Sequence, residues 1–393
     1  MNIRILMTAA TAIALTATGA FADFNDAPPN AKDQQPAFEG QTRATVLADK
    51  TELKQQVIVD GLDHPWAVAP LPDGGWLVTE RAGQLRMVSA DGKLSDPITG
   101  GPKTDARGQG GLLDVLVDPD FAQTRQIWLS YASAGEGGNA TEVARAKLSQ
   151  DGTALEDLTT VFRQKPDWQS DKHFGSRLVL DGKGGLFITL GERSNPDSRA
   201  IAQDDDNTFG KLVRVNPETG DAADGNPNVD GWLPEVYAKG FRNVQAAALD
   251  GNGQLWTIEH GPKGGDELNR PEAGKNYGWP IITYGLDYSG AEIGDGLTAQ
   301  EGLEQPVYYW DPVIGPSGML FYEGAMFPEW DGSIIVGGLV SKGLVRLTLD
   351  DGKVSGEARY PLDARVRDVA EQPDGSLVVV TDESNGALIH LTK

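Results

Sequence analysis

Residues 240–279 read GFRNVQAAALDGNGQLWTIEHGPKGGDELNRPEAGKNYGW. Two short apolar runs, 244–249 and 255–258, flank the turn Asp250-Gly251-Asn252-Gly253. Runs bounded in this way predict two antiparallel strands joined by a hairpin, because such turns need positive φ, which Gly and Asn adopt at little cost. Arg242 and Asn243 precede the first strand. Glu259-His260-Gly261-Pro262 follows the second, then the oxygen-bearing Asp266, Glu267 and Asn269, and the turn Asn276-Tyr277-Gly278-Trp279. Taken alone, the stretch is a sheet repeat with polar loops.

The same unit recurs six times. Its turns are Asp73-Gly74-Gly75, Asp118-Pro119-Asp120, Asp181-Gly182, the one above, Asp331-Gly332 and Asp374-Gly375, each between apolar runs. The turns sit roughly 40–80 residues apart, and one four-stranded blade takes about 40–50, the rest being loop. No long stretch has helical periodicity, which argues against an α/β chain. The expected fold is all-β, a six-bladed β-propeller of four-stranded antiparallel blades over residues 51–393, with a strand from 42–60 closing the ring on the last blade. A seventh blade fits only if 283–316 hides one. Insertions are expected at 133–140, 164–175, 192–210, 216–235, 262–275 and 284–316. Loops gathered on one face of a propeller form the usual ligand site.

Composition narrows the class. Of 393 residues, 49 are Gly and none is Cys, so stability must come from sheet packing and metal rather than disulfides. Residues 1–22 read as a secretory signal, with Arg4, a small apolar run and Ala20-Phe21-Ala22 before a mature start near Asp23. Residues 23–50, polar and rich in Pro, Ala and Gln, read as an N-terminal arm, poorly ordered or an edge strand. The predicted compartment is the periplasm. No later stretch is apolar enough to enter a membrane. The formal net charge is −23, which disfavours nucleic acid and anionic lipid as partners. An anionic ligand would need a local basic pocket or a metal.

Four histidines limit the acid–base candidates. His64 and His390 read as structural. His260 ends a strand, and His173 lies in the loop DKHFGSR, where a base tuned near neutrality could sit. Gly108-Gln109-Gly110-Gly111 lacks the lysine of a phosphate loop, and a strand follows it. Lys342 lies between two strands. Arg365 and Arg367 flank Val366 on one face of a strand, since side chains alternate with period 2. With Arg242 they place four cations in three units of an acidic protein, which suggests a pocket for a polyanion.

GQGGLLD, HFGSRL, GFRNVQ, EHGPKGGDELN, NYGWP, SKGLVRL and RVRDV, in this order over about residues 55–392, resemble the soluble quinoprotein aldose (glucose/sorbosone) dehydrogenases. The resemblance implies a six-bladed propeller that uses pyrroloquinoline quinone (PQQ) and calcium to oxidise the C1 hydroxyl of aldoses to lactones. It implies His173 as general base and the carbonyls of Gly261 and Pro262 as ligands of an active-site calcium that acts as Lewis acid. Arg242 would stabilise charge at the reacting oxygen. Gln109, Asn243, Lys342, Arg365 and Arg367 would surround the cofactor. Glu267 with the Tyr277 carbonyl would form a second, structural calcium site. The expected partners are an aldose and a periplasmic electron acceptor, and the expected state is a monomer. His260 stands where some relatives have glutamine, and the loops at 133–140 and 284–316 look short, so the sugar stays open. Two other readings remain: a calcium-dependent lactonase-type hydrolase on a six-bladed propeller, and a non-enzymatic carbohydrate- or protein-binding propeller.

Overall fold

Most of the repeats carry an Asp that caps its own turn. Asp73 Oδ1 accepts from Gly75 N at 3.1 Å, Asp181 Oδ1 from Lys183 N at 2.7 Å, Asp250 Oδ1 from Asn252 N at 2.9 Å and Asp374 Oδ1 from Ser376 N at 2.9 Å. This local bond offers the backbone a turn in place of a continuing strand. In the 250–253 turn the left-handed position is taken by Gly253, at φ +75°.

The computed structural model describes residues 24–393; the signal-like segment 1–22 and the start at Asp23 lie outside them. Six sheets follow one another along the chain. Blade 1 comprises Pro65–Pro70, Trp76–Glu80 and Gln84–Val88, its outer strand reduced to a bridge between Val88 and Leu94. Blade 2 comprises Leu112–Val117, Gln126–Gly135, Gly138–Leu148 and Leu155–Arg163. Blade 3 comprises Leu178–Leu180, Leu186–Thr189, Lys211–Val215 and Val236–Lys239. Blade 4 comprises Val244–Leu249, Leu255–Glu259, Asp266–Asn269 and Tyr308–Trp310. Blade 5 comprises Pro316–Phe321, Ile334–Gly338, Gly343–Asp350 and Lys353–Pro361. Blade 6 comprises Val366–Glu371, Leu377–Thr381 and Gly386–Thr392, and is completed by Lys54–Leu62 from the other end of the chain. That antiparallel pairing closes the ring and hides a sheet edge.

One expectation is corrected here and one alternative is excluded. Residues 133–140 are no insertion but the tip of a long hairpin, with Gly135 paired to Gly138. Residues 283–316 hold no seventh blade, because Tyr308–Trp310 is the outer strand of blade 4. The arm is held against the propeller: Thr45–Val46 adds a parallel strand to blade 5, and Arg43 donates to the Asp311 carbonyl at 2.8 Å.

The core is divided into slices, each between neighbouring blades. Trp66, Leu77, Leu113 and Leu129 pack between blades 1 and 2, and Trp256, Ile258, Met319 and Val336 between blades 4 and 5. Hydroxyls stitch the slices near the axis. Thr79 accepts from its own blade (Ala67 N, 3.0 Å) and donates to the Leu113 carbonyl of the next. Ser130 accepts from Asp114 N and donates to the Ser176 carbonyl at 2.7 Å. Thr189 accepts from Arg177 N and donates to the Val244 carbonyl at 3.0 Å. Such bonds satisfy inner-strand groups that no sheet partner reaches.

Arg177 fills the axis itself. Its buried guanidinium meets Asp114 of blade 2 at 3.0 Å, Asp368 of blade 6 at 3.2 Å and the Gln245 carbonyl of blade 4 at 3.3 Å, and lies over the Trp66 ring of blade 1 at 4.6 Å. Removing one member of a buried ion group leaves the others uncompensated, at a cost of about 3–5 kcal/mol. Burial already pushes the Asp114 carboxyl up to about 6, against the pull of Arg177. Arg177→Met should therefore destabilise the fold by about that amount at neutral pH. A raised native pKa favours the native state only at low pH and that gain is lost as pH rises through it. Urea denaturation should thus show a smaller deficit at pH 5 than at pH 8, and equal deficits would refute the axial charge account.

Candidate active site

At one end of the axis, above Arg177, lies a cavity of about 260 Å³. Its walls come from irregularities at the start of the inner strands. The pairing register shifts between Pro65 and Ala67, Leu112 and Val115, Val244 and Ala246, and Val366 and Asp368. The residues inside those shifts include Trp66, Leu113, Gln245 and Arg367, and all four line the cavity. Bulges of this kind re-aim a side chain beside a functional site. They also correct the period-2 argument for the arginine pair. Arg365 precedes the strand and Arg367 sits in the bulge, so both reach the cavity although simple alternation is broken.

His173 is buried in the wall with left-handed backbone, φ +51°. Its Nδ1 lies 3.0 Å from Glu192 Oε1, and its backbone N–H donates to Gln109 Oε1 at 2.9 Å. Glu192 is fully buried and its other oxygen accepts from Ser194 N. A carboxylate on Nδ1 fixes the tautomer that carries its proton there and leaves Nε2 as the acceptor. Burial, reinforced by Arg242, pushes His173 down to about 4, so its neutral form prevails at neutral pH. His260 also lines the cavity. Its Nε2 donates to the Pro316 carbonyl at 2.6 Å, and burial pushes it down to about 3.

Cations dominate the remaining wall: Arg81, Arg242, Arg365 and Arg367, with Asp382 the one carboxylate that lines it. Asp382 is paired with Arg365 at 3.1 Å. Arg367 donates to Gln245 Oε1 at 2.9 Å, and burial pushes it down to about 10. Arg242 Nη1 donates to the carbonyls of His260 and Gly261, each at 2.9 Å. The Nε atoms of Arg81 and Arg242 are buried without a partner among the described residues. Unsatisfied buried donors on cations are costly and favour an anionic ligand. Gln109 and Asn243 also line the cavity, Asn243 Oδ1 accepting from Gly175 N at 3.1 Å.

Lys342 departs from expectation. It is exposed in the turn between Ile334–Gly338 and Gly343–Asp350, at φ +53°, and does not line the cavity; Leu339 of the same turn does. Asp266 is no free oxygen ligand either. Its two oxygens accept from the backbone N–H groups of Gly261, Ile314 and Gly315, so it shapes the Gly261–Pro262 turn.

Beside this turn is a second space of about 10 Å³, lined among others by Glu259, Glu267 and Tyr277. That volume accommodates one small particle, such as a water or an ion. Burial pushes Glu259 up to about 7, and burial and the Glu259 charge push Glu267 well up. Asn269 Oδ1 is buried there without a partner among the described residues. Buried Glu259 already accepts through both oxygens, from Arg242 N, Asn243 N and Asn269 Nδ2, and half-buried Glu267 adjoins it. With backbone carbonyls, such oxygen acceptors have the chemistry of a hard cation site. Among the described residues no three His, Cys, Asp or Glu side chains cluster as a metal centre, so any such site must use carbonyls as well.

Residues 62–390 match the glucose/sorbosone dehydrogenase family profile. The chain is 46% identical over 345 residues to the aldose sugar dehydrogenase YliI of Escherichia coli K12, covering 86% of this chain and 92% of that one. It belongs to the glucose/sorbosone dehydrogenase family. The solved apo-form of the soluble E. coli aldose sugar dehydrogenase superposes with a TM-score of 0.82 at 45% identity, over 86% of this chain and 99% of that one. The PQQ-bound aldose sugar dehydrogenase of Streptomyces coelicolor gives 0.72 at 28% identity, over 87% and 98%.

Within this glucose/sorbosone dehydrogenase chain, the sequence reading missed Glu192, Trp66, Arg81 and Gln245. A signal for Glu192 was present: Glu80, Glu192 and Glu259 each stand at or just beyond the end of a repeat's second strand. The Glu192 contact favours the imidazolium of His173 and so raises its pKa. Glu192→Gln should lower the His173 pKa below about 4. Nitrogen chemical shifts of ¹⁵N-labelled histidine followed against pH would show this, and an upward shift would contradict it.

Proposed function

We propose that this chain is a PQQ-dependent aldose sugar dehydrogenase that oxidises the C1 hydroxyl of aldoses to lactones. The observation that carries the reading is the meeting, in one cavity, of a buried neutral histidine on a carboxylate and four arginines. A calcium-dependent lactonase would gather carboxylates around its channel ion, whereas this cavity has Asp382 alone, already paired with Arg365.

The cavity fits a planar tricarboxylate. Arg81, Arg365 and Arg367 would hold its carboxylates, and guanidinium forks suit that geometry. Gln109 and Asn243 would border it; Lys342 could join them only by reaching in from its exposed turn. The carbonyls of Gly261 and Pro262 suit calcium in chemistry, although the Gly261 oxygen is shared with Arg242. Glu267 and the Tyr277 carbonyl would hold a second ion in the small space beside them. When bound, the quinone supplies a two-electron acceptor for hydride, and calcium supplies a Lewis acid beside it.

The chain's own contributions follow from geometry. His173 Nε2 takes the proton of the C1 hydroxyl, and Glu192 holds the ring in place and stabilises the imidazolium that forms. Arg242, fixed by two carbonyls, presents positive charge to oxygen that becomes more negative during oxidation. The leader-like residues 1–22 support a periplasmic home, where a partner would accept the electrons.

The test is reconstitution. The mature chain is stripped with chelator, then given PQQ with and without calcium, and reduction of an artificial dye by aldoses is followed. Activity should require both additions, and an inactive fully loaded chain would refute the reading. His173→Ala should lower kcat by about 10²–10⁴ with cofactor uptake retained. Because the base acts only when neutral, kcat/KM should fall as pH drops through the low pKa of His173.

A further inference from the structure

Of the large apolar side chains among the described residues, Tyr288 is the most exposed, at 72%. It also lines the axial cavity, with its hydroxyl 3.4 Å from Arg242 Nη2. An exposed ring on a slack loop would need no account. This one stands on a rigid mount. Leu286, two residues before it, exchanges both backbone hydrogen bonds with Lys263 at 2.9 Å, directly after the Gly261–Pro262 turn. Gly285 packs so closely there that a Cβ would come within 2.7 Å of Pro262 Cδ. Asp287 closes a hairpin onto Ala291 and pairs with Arg199 at 3.6 Å. Arg199 in turn lies over Trp279 at 5.5 Å, and Arg242 lies over the same ring at 5.4 Å. The aromatic is thus held out over the mouth beside Arg242.

We propose that Tyr288 is a specificity-determining residue, the platform on which the apolar C–H face of a pyranose stacks while its C1 hydroxyl reaches His173. This rests on the aldose-oxidation reading above. The other aromatics of the cavity are buried: Trp66 lies under Arg177 and Arg367, and Phe174 under Arg193. Tyr288 is therefore the one aromatic of the lining that is open to an incoming ring. An aromatic body with a polar tip suits a ligand with apolar faces and a hydroxyl rim. Because a C–H face is common to many pyranoses, the platform selects for ring shape and tolerates changes in single hydroxyls. Pre-organisation by the mount saves the ordering cost of a loop.

The experiment compares Tyr288→Ala, Tyr288→Phe and Arg199→Ala with the parent chain, all loaded with PQQ and calcium to equal cofactor content. Loss of the stacked ring should raise KM for an aldohexose by roughly three- to tenfold, with kcat moving less than KM. Tyr288→Phe, which removes only the hydroxyl, should show less than half that shift, and Arg199→Ala an intermediate one. Saturation-transfer NMR should give strong transfer to the sugar's ring methine protons in the parent and loss of it in Tyr288→Ala. Unchanged KM and unchanged saturation in an active Tyr288→Ala would overturn the platform alone. No turnover of any aldose by the loaded parent chain would overturn the reading beneath it.

Discussion

A propeller has to close a hole. Six inner strands cannot meet at a point, and the groups that face the axis have no sheet partner to satisfy them. Here the closure is ionic. Arg177 reaches Asp114, Asp368 and the Gln245 carbonyl from three other blades and covers Trp66 of a fourth. Because its partners come from separate repeats, the plug forms only when the ring is complete. It thereby ties a local feature, the start of each inner strand, to the global count of blades. The hydroxyls of Thr79, Ser130 and Thr189 do the same work pair by pair.

The same plug adjoins the candidate cavity through Trp66, which lines it. Arg177 and Arg367 both lie 4.6 Å from the Trp66 ring. The first guanidinium is neutralised by Asp114 and Asp368, while Arg367 donates to the amide of Gln245 and feels the more distant charge of Asp382. With Arg81 and Arg242 it leaves the cavity wall rich in positive charge. In a chain of net charge −23, the long-range field repels anions, so this local concentration has to act at contact distance. It also bears on His173. Burial and Arg242 keep it neutral, and in the proposed role as base Glu192 would supply the counter-charge once it took a proton.

The sequence displayed the fold through its turns, since Asp and Gly at fixed offsets have a local physical role that needs no tertiary context. The clustered cations suggested a pocket, but His173, Asn243 and Gln109 joined Arg242, Arg365 and Arg367 in one cavity only through the ordered motifs, because proximity between repeats cannot be read from spacing. What the sequence concealed came from bulges. Trp66 and Gln245 read as ordinary strand residues, and only the register shifts beside them turn them to the axis. Lys342 poses the opposite case. It stands between two strands as a ligand-binding lysine might, yet the left-handed turn at that position leaves it exposed. The hairpin at 133–140 looked like an insertion because Gly135, Gly137 and Gly138 signal a loop, while the strands on either side simply run long.

The two spaces of the site are not independent. Glu259 Oε2 accepts from the backbone N–H groups of both Arg242 and Asn243, and Glu259 lines the small space with Glu267. Burial pushes the Glu259 carboxyl well above the usual carboxylate range, against the pull of the two N–H groups. A carboxylate accepts these two N–H groups more strongly than a protonated acid does. A cation in the small space would favour the ionised form of both glutamates. It would thereby firm the backbone that carries Arg242 and, through Arg242, the carbonyls of His260 and Gly261. On the calcium reading, an ion that never meets the sugar would still set the position of the arginine that does. On that reading, Glu259 and Glu267 stand where an ion between them would act on the proposed site through the backbone of Arg242.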